Sequence, residues 1–181
     1  MTLLRAELLE GHGVALAGPA GEGIGSALRE LGARVETLGG RDQSEDDDVG
    51  SWARDRLPLR AVVYDARASF GGGGPEALTR TMQEAWLAVR EVAVGALIDG
   101  SEPGKVVLIG PAPGSGPHAQ AAGAALENLA RTLSVEWARH GVTTVMVAPR
   151  PGLDESGLAE LVAFLCSSAA DYVSGSRLDI G

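Results

Sequence analysis

The stretch GKVVLIGPAPGSGPHAQAAGAALENLARTLSVEWARHGVTTVMVA, residues 104–148, decides the fold. Its two ends, GKVVLIG (104–110) and VTTVMVA (142–148), are short, continuous apolar runs rich in β-branched residues. Such runs read as strands buried on both faces. Between them, Leu126, Leu129, Leu133 and Trp137 recur at spacings of three and four, the period of one buried helical face. The unit is strand, helix, strand. Apolar strands separated by helices imply a parallel sheet covered on both sides.

The same alternation extends in both directions. GVALA (13–17), ARVETL (33–38), LRAVVYDA (59–66) and SRLDI (176–180) read as further strands. GIGSALRELG (23–32), ALTRTMQEAWLAVREVAVGALID (77–99) and LAELVAFLCSS (158–168) read as helices, with 118–140 as the helix of the central unit. The expected fold is therefore α/β, a doubly wound parallel sheet in a three-layer sandwich, as one domain over 1–181. The charged segment 39–58 is expected to be a solvated loop or a weak helix near 46–56, and GGGGP (71–75) a flexible joint.

Composition narrows the function. Hydrophobic residues make up 45% of the 181 residues, which excludes a disordered chain. A net charge of −9 argues against general nucleic-acid binding, which works by neutralising phosphates. No apolar run reaches the ~20 residues of a membrane span. The start of the chain shows no signal-peptide pattern, and the single cysteine, Cys166, fits a reducing cytoplasm, the expected location. Lysine occurs once, at Lys105, and tyrosine twice, at Tyr64 and Tyr172, so chemistry needing either type is confined to those positions.

The segment LAGPAGEGIGSAL joins the first strand to the first helix, where doubly wound folds hold a pyrophosphate against backbone N–H groups. With EGHGVALAGPAGEGIG, VVYDAR (62–67), GKVVLIGPAPG (104–114), LENLARTLSVEWARHGVTTVMVAPRPG (126–152) and LVAFLCSSAADYVSGSRLDIG (161–181), it resembles the classical short-chain dehydrogenases/reductases over nearly the whole chain. The resemblance implies a Rossmann-like sandwich. The short span between the second strand and Leu59 implies that one edge strand is missing. The early start of helix 158–168 implies that the substrate loop is missing too.

In that family a Tyr, tuned by a Lys four residues on, exchanges a proton with substrate; a Ser holds the substrate oxygen and an Asn supports a relay. The matching positions are Ala119 for the Tyr, Gly123 for the Lys, Pro111 for the Ser and Glu84 for the Asn. None of the four is retained. On the cofactor side, the glycine loop keeps Gly18, Gly23 and Gly25 but carries Pro19. The ribose-binding acid falls at Gly39, beside Arg41 and Asp42. Arg67 and Arg150 replace residues along the cleft, near Asp65. The resemblance thus implies a pseudoenzyme, with no cofactor expected; NAD(P) enters only under the alternative of an oxidoreductase using substitute groups such as His118, Tyr64 or Glu84.

Other sites are weaker. Ser115 and His118 form an imaginable nucleophile pair without an orienting acid. His12 and His140 read as surface residues, Cys166 as core, and no metal site is expected. Asp65, Arg67 and Arg150 are either an anion pocket for a nucleotide or acyl-CoA, or solvated strand-end charges. The resemblance further implies packing of helices 77–99 and 118–140 against a second subunit. The small residues 121–125 would allow close approach, and Trp86, Leu126, Leu133 and Trp137 would act as interface anchors. The expected partner is a protein: a homo-oligomer, or a hetero-oligomer with an active paralog of the family.

Overall fold

The computed structural model describes residues 4–18, 22–38, 49–67, 69 and 74–181. Six strands form one parallel sheet: β1 (Gly13–Ala17), β2 (Arg34–Leu38), β3 (Ala61–Asp65), β4 (Lys105–Ile109), β5 (Thr143–Pro149) and β6 (Ser176–Ile180). Their spatial order is β2-β1-β3-β4-β5-β6, with every neighbouring pair parallel. The doubly wound sheet expected from the central unit is present, and β2 is its edge among the described residues. Burial follows position: β1, β3 and β4 are buried at every residue, whereas the edge strands β2 and β6 are half exposed.

Two helical layers enclose the sheet. The helices α1 (Glu22–Glu30) and α5 (Glu155–Cys166) cover one face, packing Ile24, Leu28, Leu158 and Val162 onto Val14, Val63 and Val107. On the other face lie α2 (Val49–Arg54), α3 (Pro75–Val92) and α4 (Ala119–Glu136), with Val89, Val92, Leu126, Leu133 and Trp137 against Ala15, Val62 and Leu108. Fully burying a Leu of this kind stabilises by roughly 1.5–3 kcal/mol.

This packing corrects part of the interface expectation. Leu126 and Leu133 are 0% and 1% exposed and Trp137 is 8% exposed. They face the protein's own sheet and have no area left for a second subunit. Trp86 differs. The spacing that groups it with Val89 and Val92 is one position off the buried face, and it stands 41% exposed on the outside of α3.

Helix ends also depart from the sequence reading. The long helix expected over 77–99 is α up to Val92 and then widens into one π turn, Ala93–Leu97, with Ile98 N–H donating to Ala93 O at 2.9 Å. Helix α2 packs backbone to backbone on that turn: a Cβ at Gly95 would lie 2.7 Å from Gly50 O. Glycine permits the approach. Helix α5 begins three residues early because the Asp154 side chain accepts from Ser156 N–H, supplying an N-cap. The 150–154 connection from β5 to α5 leaves no substrate loop of the family's kind. No helix among the described residues is long and apolar enough to cross a membrane.

Candidate functional site

In open parallel sheets, ligands sit beyond the C-terminal ends of the strands, where strand order reverses. Here that point lies between β1 and β3. Gly18, with φ 82, closes tightly onto it: a Cβ there would sit 2.5 Å from Asp65 O, so only glycine fits. Gly23 and Gly25 lie in the first turn of α1. Pro19, Gly39, Arg41 and Asp42 lie outside the described residues.

Asp65 ends β3 with its side chain 2% exposed. Arg67 supplies its partners. The backbone N–H donates to Oδ1 at 3.0 Å, Nε donates to Oδ1 and Oδ2 at 3.0 and 3.1 Å, and Nη2 donates to Oδ2 at 2.8 Å. The remaining terminal nitrogen, Nη1, donates to Glu155 Oε1 at 2.6 Å, tying the end of β3 to the first turn of α5. Hydrogen bonds to Asp65 raise the Arg67 pKa beyond its usual value, so the guanidinium is permanently charged. Arg150 does not join this link. It is exposed, and its backbone N–H donates to Ile180 O at 2.8 Å on the β6 side. Arg67 is engaged by two carboxylates, Asp65 and Glu155, whereas no side-chain bond joins Arg150 to them among the described residues.

At three of the four positions where the resemblance places catalytic groups, the residues are Ala119, Gly123 and Pro111. Ala119 is the first residue of α4, 2% exposed. Gly123 is buried one turn on, with Met146 Cε 3.9 Å from where its Cβ would be. Pro111 is buried after β4. His118 is the N-cap residue of α4 and makes no side-chain cap bond; Ser115 is exposed, with its N–H donating to Ala112 O.

Tyr64 and Glu84 are brought together, which spacing alone does not show. The Tyr64 hydroxyl donates to Glu84 Oε2 at 3.2 Å and lies 3.4 Å from Ser69 Oγ. Tyr64 is 1% exposed beneath α3. Burial, then the Glu84 and Asp65 charges, push its pKa up despite the Ser69 bond. A phenol that trades protons near neutrality needs the opposite shift. The pair is a buried hydrogen bond beneath α3.

The remaining reactive types gather at the opposite, N-terminal rim. A small cleft there is lined by His12, Arg60, Glu102, Lys105, Cys166 and Asp171. Lys105 Nζ and Asp171 Oδ1 are 2.5 Å apart, and Arg60 pairs with Glu102 at 3.2 Å. No group of three metal-ligating side chains occurs among the described residues.

This architecture is widely shared. Over 99% of this chain and 97% of its own, the citronellol catabolism dehydrogenase of Pseudomonas aeruginosa superposes with a TM-score of 0.78 at 22% identity. A short chain dehydrogenase from Mycobacterium smegmatis gives 0.77 at 21% identity, over 100% and 96% of the two chains. The enoyl-[acyl-carrier-protein] reductase (NADH) of Aquifex aeolicus gives 0.76 at 20% identity, over 95% of each. The chain has the short-chain dehydrogenase/reductase fold. No protein-family model matches the chain, and no curated protein matches it by sequence.

Sequence reasoning missed the Arg67–Glu155 link and the Tyr64–Glu84 bond. Half of the first was in reach: residues two apart at a strand end share a face, so Asp65 and Arg67 could have been paired. Contacts across 88 and 20 residues carry no local signal.

Proposed function

We propose that this chain is a catalytically silent protein of the short-chain dehydrogenase/reductase fold that works by association, through the outer face of α3 and α4. One observation carries the reading. Of the six large hydrophobic side chains that stand exposed among the described residues, four (Trp86, Leu87, Val94 and Val135) lie on α3, its π turn and α4. None lies on α1 or α5. A concentrated apolar surface on one layer marks an interaction face. Towards its start, α4 also exposes Ala121 and Ala124, small residues that let a neighbouring backbone come close. The partner is a second copy of the chain or an active subunit of the same fold.

Silence rests on the rim chemistry. A methyl group at Ala119 and a hydrogen at Gly123 transfer no proton. The residues present do not fit a dinucleotide in this fold's usual position, since Arg67 spans the rim to Glu155. Calorimetry with NADH and NADPH is expected to give no saturable heat. Light scattering of the purified protein, together with co-purification from its native cell, is expected to show a dimer or larger assembly. A stable monomer at micromolar concentration that recovers no partner of this fold would end the association reading, and saturable cofactor heat would end the silent one.

A further inference from the structure

Arg67 is held unequally at its two edges. Nε, Nη2 and its backbone N–H all serve Asp65, whose side chain is 2% exposed. Nη1 alone serves Glu155, whose side chain is 65% exposed. A buried carboxylate cannot leave its donors without losing them in a low-dielectric surrounding. An exposed one trades a single partner for water at little cost. The guanidinium is therefore fixed by Asp65, while whatever sits on Nη1 is exchangeable. This exchangeable edge stands at the C-terminal ends of the strands, beside the reversal of strand order between β1 and β3.

We propose that Arg67 is an oxyanion receptor whose resting occupant is the chain's own Glu155 carboxylate, and that a small molecule bearing a carboxylate or phosphate binds by displacing it. Asp65 neutralises the charge of Arg67 but leaves the N–H directions of Nη1 in place, so recognition rests on donor geometry, the property that suits guanidinium to planar oxyanions. Glu155 sets the threshold. Because it competes from within the same chain, it weakens every external anion by the fraction of time that it occupies Nη1. The site lies on the α5 side of the sheet, away from the outer face of α3 and α4, so it and the association face succeed or fail separately.

The test is an NMR titration of the ¹⁵N-labelled full chain with inorganic phosphate and, separately, with acetate, at ionic strength held constant with chloride. In Glu155→Ala, amides of residues 65–67 and 156–158 are expected to shift saturably with one anion, at least about fivefold more tightly than in the unchanged protein. Saturation by phosphate assigns a phosphate-bearing ligand, and saturation by acetate assigns a carboxylate. The double variant Asp65→Asn/Arg67→Gln removes the receptor without stranding a buried charge, and is expected to lose saturation. The proposal is overturned if Glu155→Ala binds neither anion more tightly than the unchanged protein, or if saturation survives in a folded double variant. Should the double variant not fold, the Glu155→Ala comparison decides alone.

Discussion

At the N-terminal rim of the sheet, Lys105, Asp171, Arg60, Glu102, His12 and Cys166 surround a small cleft. At the C-terminal rim, where open parallel sheets bind ligands, α4 opens with Ala119 and, one turn on, Gly123. The single lysine and the single cysteine both stand at the N-terminal rim. There Lys105 is 3% exposed and paired to Asp171. Burial pushes the Cys166 thiol up to about 12, with the Lys105 charge only partly opposing it. A reactive type is not a reactive group until its exposure and neighbours make it one. Among the described residues, the C-terminal rim carries the charged constellation Asp65–Arg67–Glu155.

Perturbing each rim separates these roles. The largest effect is expected from Arg67→Ala, which strands the buried Asp65 carboxylate without its donors; urea unfolding should show a loss of about 3–5 kcal/mol. A loss below about 1 kcal/mol would mean that water reaches Asp65 and that the rim is open. Next comes Leu126→Ala on the inward face of α4, expected to cost about 2–5 kcal/mol without changing the oligomeric state. A change of assembly there would restore Leu126 as an interface residue.

At the other rim, Lys105→Ala is expected to cost about 1–3 kcal/mol, less than Arg67→Ala, because the Asp171 that it leaves behind is half exposed. Trp86→Asp should shift stability by no more than about 0.5 kcal/mol while dissociating the assembly in light scattering, the signature of an outward-facing anchor. The smallest signal is at Cys166. Its raised folded pKa lies above the unfolded value, so its contribution to stability is full below the unfolded pKa and fades as pH rises through the folded one. At pH 8 the native thiol should therefore stay inert to a disulfide reagent that titrates it at once in urea.

The strands were legible because each is a run of apolar residues whose burial on both faces leaves no other structure open to it: VVLI in β4 and VMVA in β5 announce themselves. Helix α4 was legible in period but not in its environment. Leu126 and Leu133 recur correctly for a buried face, yet periodicity does not say whether the cover is a sheet or a second subunit. The π turn after Val92 was invisible, and so was its packing of Gly95 onto Gly50 of α2, a contact no local window contains. The early start of α5 was readable in retrospect from Asp154 and Ser156, a cap signature two residues long.

By itself, then, the sequence determined the strand–helix alternation and the parallel sheet, because hydrophobic period is a local property. Only the tertiary structure decided that Arg67 reaches Glu155, that Tyr64 gives its proton donor to Glu84, and that Trp86 rather than Leu126 meets the outside. Those outcomes depend on which distant elements the sheet brings within hydrogen-bond reach and which face each helix turns inward. Both are fixed by packing, and no window of the chain contains them.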